Sequence, residues 1–316
     1  MKMQQFNSES LPFAPVTLGD QAMVERYMRA YGESSCQHSF TALFTLQEKY
    51  GSRICEKDGF LFVLREKLCS PGERVYLAPM GGGDRRAAYA AILSDAHAYG
   101  CRAVFQTLTE EHSSFLQSAF PGQFTVTEQR DYAEYIYSTE ALCSFAGKQY
   151  ADKRNKIHKL QREYEDRLSV RRLSPDDAGE IMEAEREWFL ANASPQDREA
   201  LYCEMLTIKR QLDCFEQLGL SGIAMELDGE MVAFAYGVAL NDSCFDGLIA
   251  KASREIPNLY KLLYREISRL CAAPCPYFNW EEDVGVEGLR RMKTEYGPIA
   301  LLRKYLVSEN APSETQ

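Results

Sequence analysis

The stretch IAMELDGEMVAFAYGVAL, residues 223–240, predicts the centre of a folded unit. Two runs of apolar, β-branched and aromatic residues flank the dipeptide Asp228-Gly229, which is typical of a tight hairpin turn. The run FDGLIAKA (245–252) predicts a third strand, and a helical pattern covers residues 258–271. Three consecutive strands followed by a helix indicate a sheet covered by helices, which is an α/β or α+β architecture.

The segments on either side extend this unit in a regular order. Upstream, LSVRRLS (168–174) predicts a strand. Ser174-Pro175 and Ser194-Pro195 each begin a tetrapeptide with a helix N-cap, a proline in the first turn and an acid three residues after the serine. Downstream, the pattern predicts a strand, a helix and a closing strand in PYFNWEE (276–282), residues 285–295 and IALLRKYLV (299–307).

The first half of the chain shows the same order of elements. Its hairpin turns at Asp58-Gly59, and later strands are predicted in VYLAP (75–79) and RAVFQT (102–107). Each half therefore reads strand, helix, helix, hairpin, strand, helix, strand, helix, strand, although no repeat of identical residues is visible. This order resembles the GNAT acyltransferase fold, present twice in tandem. We predict two GNAT-like α/β (α+β) domains with mixed sheets flanked by helices, and then a disordered polar tail, at residues 1–145, 146–307 and 308–316.

The composition is that of a globular protein. Hydrophobic residues make up 45% and charged residues 26% of the 316 residues, which excludes a disordered chain, a collagen-like fibre and a coiled-coil rod. No run approaches the roughly 18 apolar residues of a membrane-spanning helix, and the N-terminus has no apolar segment of a secretory signal. The ten cysteines and four histidines form no zinc-binding pattern. We expect a cytoplasmic protein with reduced thiols, no metal and no membrane span.

A basic island interrupts this acidic chain, whose net charge is −10. Residues 146–172 carry nine Lys and Arg against four Asp and Glu. The helix predicted there has an apolar face from Ile157 to Leu168, and Asn155 lies among the cations. The cations of segment 148–162 are Lys148, Lys153, Arg154, Lys156, Lys159 and Arg162. We place four of them, Lys153, Arg154, Lys156 and Lys159, largely off that face. Two interpretations stay open: a solvated helix face, or an electrostatic contact with tRNA, phospholipid headgroups or a nucleotide. DNA is not an expected partner of so acidic a protein.

A glycine cluster in MGGGDRRAAYAAI (80–92) lies between a predicted strand and a predicted helix, where the GNAT fold places a phosphate-binding loop. Its members are Gly81, Gly82 and Gly83. Glycines let the backbone approach an anion closely, which favours a donor-binding loop. Asp84 is a candidate N-cap that repels an anion at the same place, so a plain tight turn is the alternative. The corresponding segment of the second half, 249–263, has no glycine.

An acidic stretch follows the strand predicted at 276–282. Asn279, Glu282 and Asp283 lie at the C-terminal end of that strand, the end that faces the ligand crevice in open α/β sheets. A solvated loop or helix cap is one interpretation of the carboxylates. The other is a general base for an amine, supplied by Glu282 or Asp283.

Several segments together resemble a family of bacterial proteins of unknown function related to the C-terminal domain of phosphatidylglycerol lysyltransferase. The resembling segments are GKQYADKRNKIHKLQREY (147–164), EREWF (185–189), MVAFAYG (231–237) and NWEEDVGVEGLRRMKTEYGP (279–298). The resemblance implies a tandem GNAT fold and a similarity to Fem aminoacyltransferases, which move amino acids from tRNA to amine acceptors. It implies site roles for Lys153, Arg154, Asn155, Asn279, Glu282, Asp283, Gly288, Arg290, Lys293 and Tyr296.

This chain departs from the family pattern in FDGLIAKA, where a His-x-Glu-Lys-Ala run is more usual, so Asp246 and Ala250 replace expected groups. We predict an acyl or aminoacyl transferase with Glu282 or Asp283 as catalytic base. The acceptor, a small amine or hydroxyl, is expected in a cleft of the second domain. No tightly bound cofactor is expected, and the donor is aminoacyl-tRNA, bound through helix 148–162, or acyl-CoA. An acyl-CoA-dependent N-acyltransferase and a noncatalytic ligand-binding module are the alternatives.

Overall fold

The computed structural model describes residues 10–32, 35–192 and 198–311. Two compact units form, one within Met1–Ala133 and Leu302–Gln316 and the other within Glu134–Leu301. The strands are β1 (Ala14–Pro15), β2 (Ser52–Lys57), β3 (Phe60–Arg65), β4 (Glu73–Tyr76), β5 (Met80–Gly81), β6 (Arg102–Leu108), β7 (Phe124–Glu128), β8 (Glu134–Ser138), β9 (Leu168–Arg172), β10 (Ser221–Leu227), β11 (Glu230–Asn241), β12 (Cys244–Ala252), β13 (Tyr277–Asn279), β14 (Ala300–Leu302) and β15 (Tyr305–Glu309). The helices are α1 (Gln21–Tyr31), α2 (Phe40–Thr45), α3 (Gln47–Tyr50), α4 (Arg85–Ala98), α5 (Glu110–Ala119), α6 (Thr139–Ser144), α7 (Ala151–Tyr164), α8 (Ala178–Asn192), α9 (Arg198–Asp213), α10 (Leu259–Ile267) and α11 (Glu287–Glu295).

The two sheets have the same strand order. The first runs β1-β2-β3-β4-β6-β15-β7, with β5 paired to β3, and the second runs β9-β10-β11-β12-β13-β8-β14. Each sheet contains a parallel pair at the same place in this order, β4 with β6 in the first and β12 with β13 in the second. The mixed sheets and their flanking helices confirm the predicted fold class.

The sixth strand of each sheet comes from the other half of the chain. The sequence predicts a boundary between residues 145 and 146, whereas the contacts divide the chain between Ala133 and Glu134. Strand β8 therefore belongs to the second sheet, and β15 belongs to the first. The predicted closing strand at 299–307 is in fact two strands, β14 and β15, in different sheets. Apolar alternation predicts a strand but does not say which sheet it joins, so order along the chain misplaced both segments.

The predicted disordered tail begins too early. Ser308 and Glu309 belong to β15, and the Glu309 carboxylate accepts a hydrogen bond from the Ala103 amide at 2.9 Å. Residues 312–316 of that predicted tail lie outside the described residues. Across the described ranges, every helix is too short or too polar to cross a membrane.

The hairpin predicted at residues 223–240 is confirmed as β10 and β11. Asp228 and Gly229 both have positive φ, 55° and 89°, which a two-residue hairpin turn of this kind requires. A β-bulge follows, because β11 and β12 change register between Tyr236 and Gly237. A Cβ atom on Gly237 would lie 2.0 Å from the carbonyl oxygen of Asp246, so only glycine fits this close approach.

Packing against α10 holds the second sheet in place. Leu259, Leu262 and Leu263 on α10 join Phe245 and Phe278 in one buried apolar cluster. The parallel pairing of β12 with β13 ends where Asp246 lies opposite Asn279. Strand β13 stops there while β12 continues, so the two strands diverge and open the end of the sheet.

Candidate functional site

Asp246 lies at the point where β12 and β13 diverge. Its side chain is fully buried, and neither carboxylate oxygen has a hydrogen-bond partner. Burial raises the pKa of this carboxyl well above its ordinary value, and the negative charges of Glu281, Glu134 and Glu282 raise it further. Asp246 therefore keeps its proton at a higher pH than an exposed aspartate does.

A polar framework surrounds this aspartate. The fully buried Asn279 donates a hydrogen bond from Nδ2 to Glu134 Oε2 at 2.6 Å and accepts one at Oδ1 from the Glu281 amide at 2.7 Å. The backbone carbonyl of Glu281 accepts a hydrogen bond from the Tyr135 amide at 3.1 Å. Carboxyl groups from β8 (Glu134), from β12 (Asp246) and from the loop after β13 (Glu281 and Glu282) thus lie near one another at the divergence. Their shared negative potential complements a cationic group such as an ammonium ion.

Asp283 has a different environment from Asp246, although both are fully buried. Arg290 donates two hydrogen bonds to its carboxylate at 2.8 and 2.9 Å, and Tyr135 donates a third at 2.7 Å. Burial alone would raise the pKa of Asp283. The hydrogen bonds from Arg290, Tyr135 and the Gly285 amide outweigh that effect and hold the pKa well below its usual range. So low a pKa disfavours a general base near neutral pH, so the contacts indicate that Asp283 positions the loop.

Lys293 braces the loop that follows β13. Its Nζ donates a hydrogen bond to the carbonyl of Glu282 at 2.5 Å and another to the carbonyl of Trp280. Glu281 and Val284 in the same loop have positive φ, 50° and 45°, a conformation that non-glycine residues rarely adopt. Backbone strain of this kind persists only where surrounding contacts over-determine it, and it clusters at functional sites. Glu282 itself is half-buried.

Tyr296 and Lys153 belong to the core rather than to an open pocket. The Tyr296 ring packs edge-on against Trp280 and Tyr264, with ring centres 5.4 and 5.3 Å apart. Lys153 Nζ lies 4.6 Å from the centre of the Tyr296 ring and donates a hydrogen bond to the Glu295 carbonyl at 2.7 Å. The prediction that Lys153 lies off the apolar face is wrong, because its side chain is on the buried face of α7, four residues before the buried Ile157.

The other predicted ligands on α7 differ from one another. Arg154 donates a hydrogen bond from Nη1 to the Gly147 carbonyl at 2.8 Å, and a second to the Phe145 carbonyl, so it ties α7 to the preceding turn. Asn155 is exposed. The cations on the exposed surface of this segment are Lys148, Lys159 and Arg162. A basic face therefore remains, although it is smaller than the sequence predicts.

Close packing in the first unit explains why glycines occupy positions 81 and 82. Gly81 pairs with Phe60 in the sheet, and a Cβ atom on Gly82 would lie 2.7 Å from the Tyr31 hydroxyl. Asp84 caps α4 by accepting a hydrogen bond from the Ala87 amide at 3.1 Å. A carboxylate thus occupies the helix N-terminus that an anion would need, which favours the tight-turn interpretation of Gly81, Gly82 and Gly83.

Further along β12, Lys251 belongs to a separate charged group. Its Nζ lies 2.5 Å from Glu204 Oε1, 3.3 Å from Glu185 Oε2 and 3.9 Å from the centre of the Trp188 ring. Burial raises the pKa of Glu185, while the nearby lysine lowers it. Lys251 therefore neutralises two carboxylates that come from α8 and α9.

In the sequence, Asp246 is visible only as a departure from a family pattern, and no role is predicted for it. One feature of the sequence could have indicated a functional role: Asp246 is an acidic residue inside an otherwise apolar strand, between Phe245 and Gly247. The groups predicted to converge do so around the loop after β13, but through contacts that hold the loop: Asn279, Asp283, Arg290 and Lys293. The structure adds Asp246, whose two buried carboxylate oxygens both lack a hydrogen-bond partner.

Comparison with known proteins places this fold in a family. The family model described as "Phosphatidylglycerol lysyltransferase, C-terminal" matches residues 28–308. A conserved protein of unknown function from Bacteroides thetaiotaomicron is 28% identical, with a TM-score of 0.89 over 95% of this chain and 100% of that chain.

Two more distant structures share the fold. The L-PGS structure from Bacillus licheniformis is 16% identical and covers 93% of both chains, with a TM-score of 0.65. FemX is 10% identical, with a TM-score of 0.51 over 94% of this chain and 97% of that chain. A search of curated sequences gave no match. Because the family model spans most of the chain, this protein belongs to the family of the C-terminal region of phosphatidylglycerol lysyltransferase.

Proposed function

We propose that this chain is an acyl or aminoacyl transferase whose chemistry occurs in the second unit, where β12 and β13 diverge. Membership of the lysyltransferase family supports a transferase-type function. The observation that carries the proposal is Asp246, a buried carboxyl without hydrogen-bond partners inside a ring of acidic groups. Such a group costs stability, so its presence favours a catalytic role over a structural one.

The acidic surroundings suggest how the reacting amine is held. In this proposal the carboxylates beside Asp246 attract an ammonium group of the acceptor or of the transferred aminoacyl group. An acceptor that binds as an ammonium ion first releases one proton to solvent, since only the neutral amine can attack. Asp246, in its ionised form, then takes one proton from the attacking amine nitrogen or hydroxyl. The nucleophile forms a bond to the acyl carbon, the bond from that carbon to the donor oxygen or sulfur breaks, and the proton passes to the leaving group.

Aminoacyl-tRNA is the donor that the exposed cations favour. Lys148, Lys159 and Arg162 form a basic surface on an acidic protein, which would restrict RNA phosphates to one region. Acyl-CoA is the second candidate donor. Its support is the start of α10, the helix after β12, where Asn258 makes no side-chain capping bond; the segment lacks the usual glycines.

The test measures transfer from each donor class directly. Total tRNA charged with radiolabelled amino acids is incubated with the protein and a panel of small amines and polyols, and labelled products are separated. Parallel reactions with acyl-CoA thioesters measure the release of free thiol. Transfer from charged tRNA supports the proposed donor, thiol release supports acyl-CoA, and no reaction from either supports a noncatalytic binding module.

A matched pair of variants separates the site from the fold. Asp246→Asn should lower transfer by about 100-fold or more, the usual contribution of general acid–base catalysis. Asp242→Asn is the control, since Asp242 is exposed in the turn just before β12. Equal activity of the two variants would remove Asp246 from the mechanism while leaving the transferase function open.

A further inference from the structure

The first unit contains a cavity at its own strand divergence, and this cavity plays no part in the proposed transfer reaction. The parallel pairing of β4 with β6 ends at Tyr76 and Phe105, and the cavity opens just beyond that point. Its volume is about 70 Å³, which is room for roughly five waters at 10–15 Å³ each. Its polar lining includes His38, His112 and Arg85.

The chemistry of the lining differs from that of the second unit, because no aspartate or glutamate lines this cavity. Arg85 contributes a guanidinium group, which is also paired with Glu111 at 2.7 Å. Hydroxyl groups come from residues such as Ser35 and Thr109, and the Ser35 oxygen accepts a hydrogen bond from the buried Lys304 at 2.6 Å. Positive charge and hydrogen-bond donors therefore predominate around the cavity.

Each of the two histidines makes a hydrogen bond through one of its ring nitrogens. His38 Nε2 lies 2.8 Å from the Ala78 carbonyl, which can only accept, so this nitrogen carries the proton and Nδ1 is the unprotonated one in the neutral ring. His112 Nδ1 lies 2.7 Å from the hydroxyl of Tyr89. Each imidazole therefore has a second nitrogen that can gain or offer a proton.

Burial and neighbouring cations keep the two rings neutral. The pKa of His38 is lowered to about 4, first by burial and then by the charges of His112, Arg65 and Lys304, while its bond to Ala78 opposes this. The pKa of His112 is lowered to about 4 by burial and by Arg85, while Glu111 opposes this. An anion bound beside them would relieve the electrostatic cost of protonation.

We propose that this cavity binds a small oxyanion, a carboxylate or phosphate group, through Arg85, the lining hydroxyls and the imidazoles of His38 and His112. Binding is coupled to proton uptake, because an imidazolium donates a hydrogen bond to an anion where the neutral ring nitrogen only accepts. The affinity therefore rises as the pH falls toward the pKa of the unliganded histidines. Thr107 lines the same cavity with a φ of 54°, a strained conformation for a β-branched residue.

Imidazole NMR spectroscopy tests this inference site by site, since the whole chain has only four histidines. Sulfate is the main probe, because its charge does not change between pH 5 and 8; inorganic phosphate and acetate then distinguish the two classes of anion. The expected result is that sulfate shifts the resonances of His38 and His112 and raises their pKa values by about two units, the rise that a tenfold gain in affinity at pH 5.5 requires. His97 and His158 do not line the cavity. His97 is the internal control, and His158, which lies beside Arg162, reports sulfate that binds to the exposed basic surface of α7.

Two outcomes would overturn the inference. Equal small shifts of all four histidines would indicate nonspecific ionic-strength effects, and no shift of His38 and His112 with any of the three anions would exclude the site. Binding is also measured by titration calorimetry at pH 5.5 and 7.5, with at least a tenfold stronger affinity expected at the lower pH. His112→Gln should reduce this difference to the part that His38 alone contributes, and His97→Gln should retain it in full.

Discussion

Replacing Asp246 with asparagine should change how the stability of the protein depends on pH. The folded-state pKa of Asp246 is raised, first by burial, whereas an unfolded aspartate has a pKa of about 3.9. Between these two values the folded protein holds a proton that the unfolded chain has lost. The wild-type protein is therefore most stable below pH 4 with respect to this group, and it loses that contribution as the pH rises toward the folded-state pKa.

The size of the effect follows from a single proton. Across that window the free energy of unfolding of the wild-type protein should fall, relative to the Asp246→Asn variant, by about 1.4 kcal/mol per pH unit. A buried amide that lacks a hydrogen bond costs about 1–3 kcal/mol, but this cost does not change with pH. The slope of the difference, and not its value at one pH, therefore identifies the carboxyl.

Urea unfolding at pH 5, 6, 7 and 8 measures this slope for the wild-type protein, Asp246→Asn and the exposed control Asp242→Asn. The control should follow the wild-type curve. A stability difference between Asp246→Asn and the wild-type protein that stays constant from pH 5 to 8 would refute the reasoning. It would mean that Asp246 ionises normally in the folded protein and has partners that satisfy it.

The remaining predictions concern groups with defined partners. Asp283→Ala should destabilise the protein by about 2–3 kcal/mol in urea unfolding near pH 7, somewhat less than a fully buried pair loses because Arg290 is partly exposed. That loss should shrink as the pH falls below about 4, because a lowered folded-state pKa stabilises the folded protein only at pH values above the unfolded-state pKa. Glu287→Ala is the exposed control and should change the free energy of unfolding by less than about 0.5 kcal/mol. A triple charge reversal should weaken the salt dependence of tRNA binding; the three changes are Lys148, Lys159 and Arg162 to glutamate. The slope of log K against log salt concentration should become less steep by about 2, because each of three lost phosphate contacts contributes about 0.7. If the wild-type protein binds no tRNA at low salt, tRNA is rejected as the donor. Lys153→Glu should lower the melting temperature strongly and Lys159→Glu should not, because only Lys153 is buried; equal melting temperatures would contradict the buried placement.

Local signals in the sequence predicted the elements but not all of their partners. The Asp228-Gly229 turn and the Ser174-Pro175 helix start are set by backbone conformations that only a few residues favour, so both were predictable. The placement of β8 and β15 was not, because their partners are far away in the chain and their apolar patterns fit either sheet. Sheet membership is decided by long-range packing, which single-chain periodicity does not record.

The candidate site was harder to predict than the fold because its residues were judged by type rather than by environment. Lys153 and Lys159 are alike in the sequence, yet one lies over a tyrosine ring in the core and the other is exposed. A long lysine side chain can bury its stem and still satisfy its ammonium group, so charge alone does not indicate exposure. Asp246 and Asp283 show the same limit, since both are buried acids near one loop, with opposite pKa shifts.

The equivalent positions of the two units differ in charge, which supports the separate roles proposed for them. Both sheets diverge after a parallel pair at the same place in the common strand order. In the second unit the divergence presents Asp246 among glutamates, an environment that favours a cation. In the first it presents two neutral histidines and Arg85 without any lining carboxylate, an environment that favours an anion. Two copies of one acetyl-CoA site would share a glycine-rich donor loop, whereas here one loop lacks glycines and the other uses them for packing. Under the two proposals made above, the units would be one fold adapted to two ligands of opposite charge.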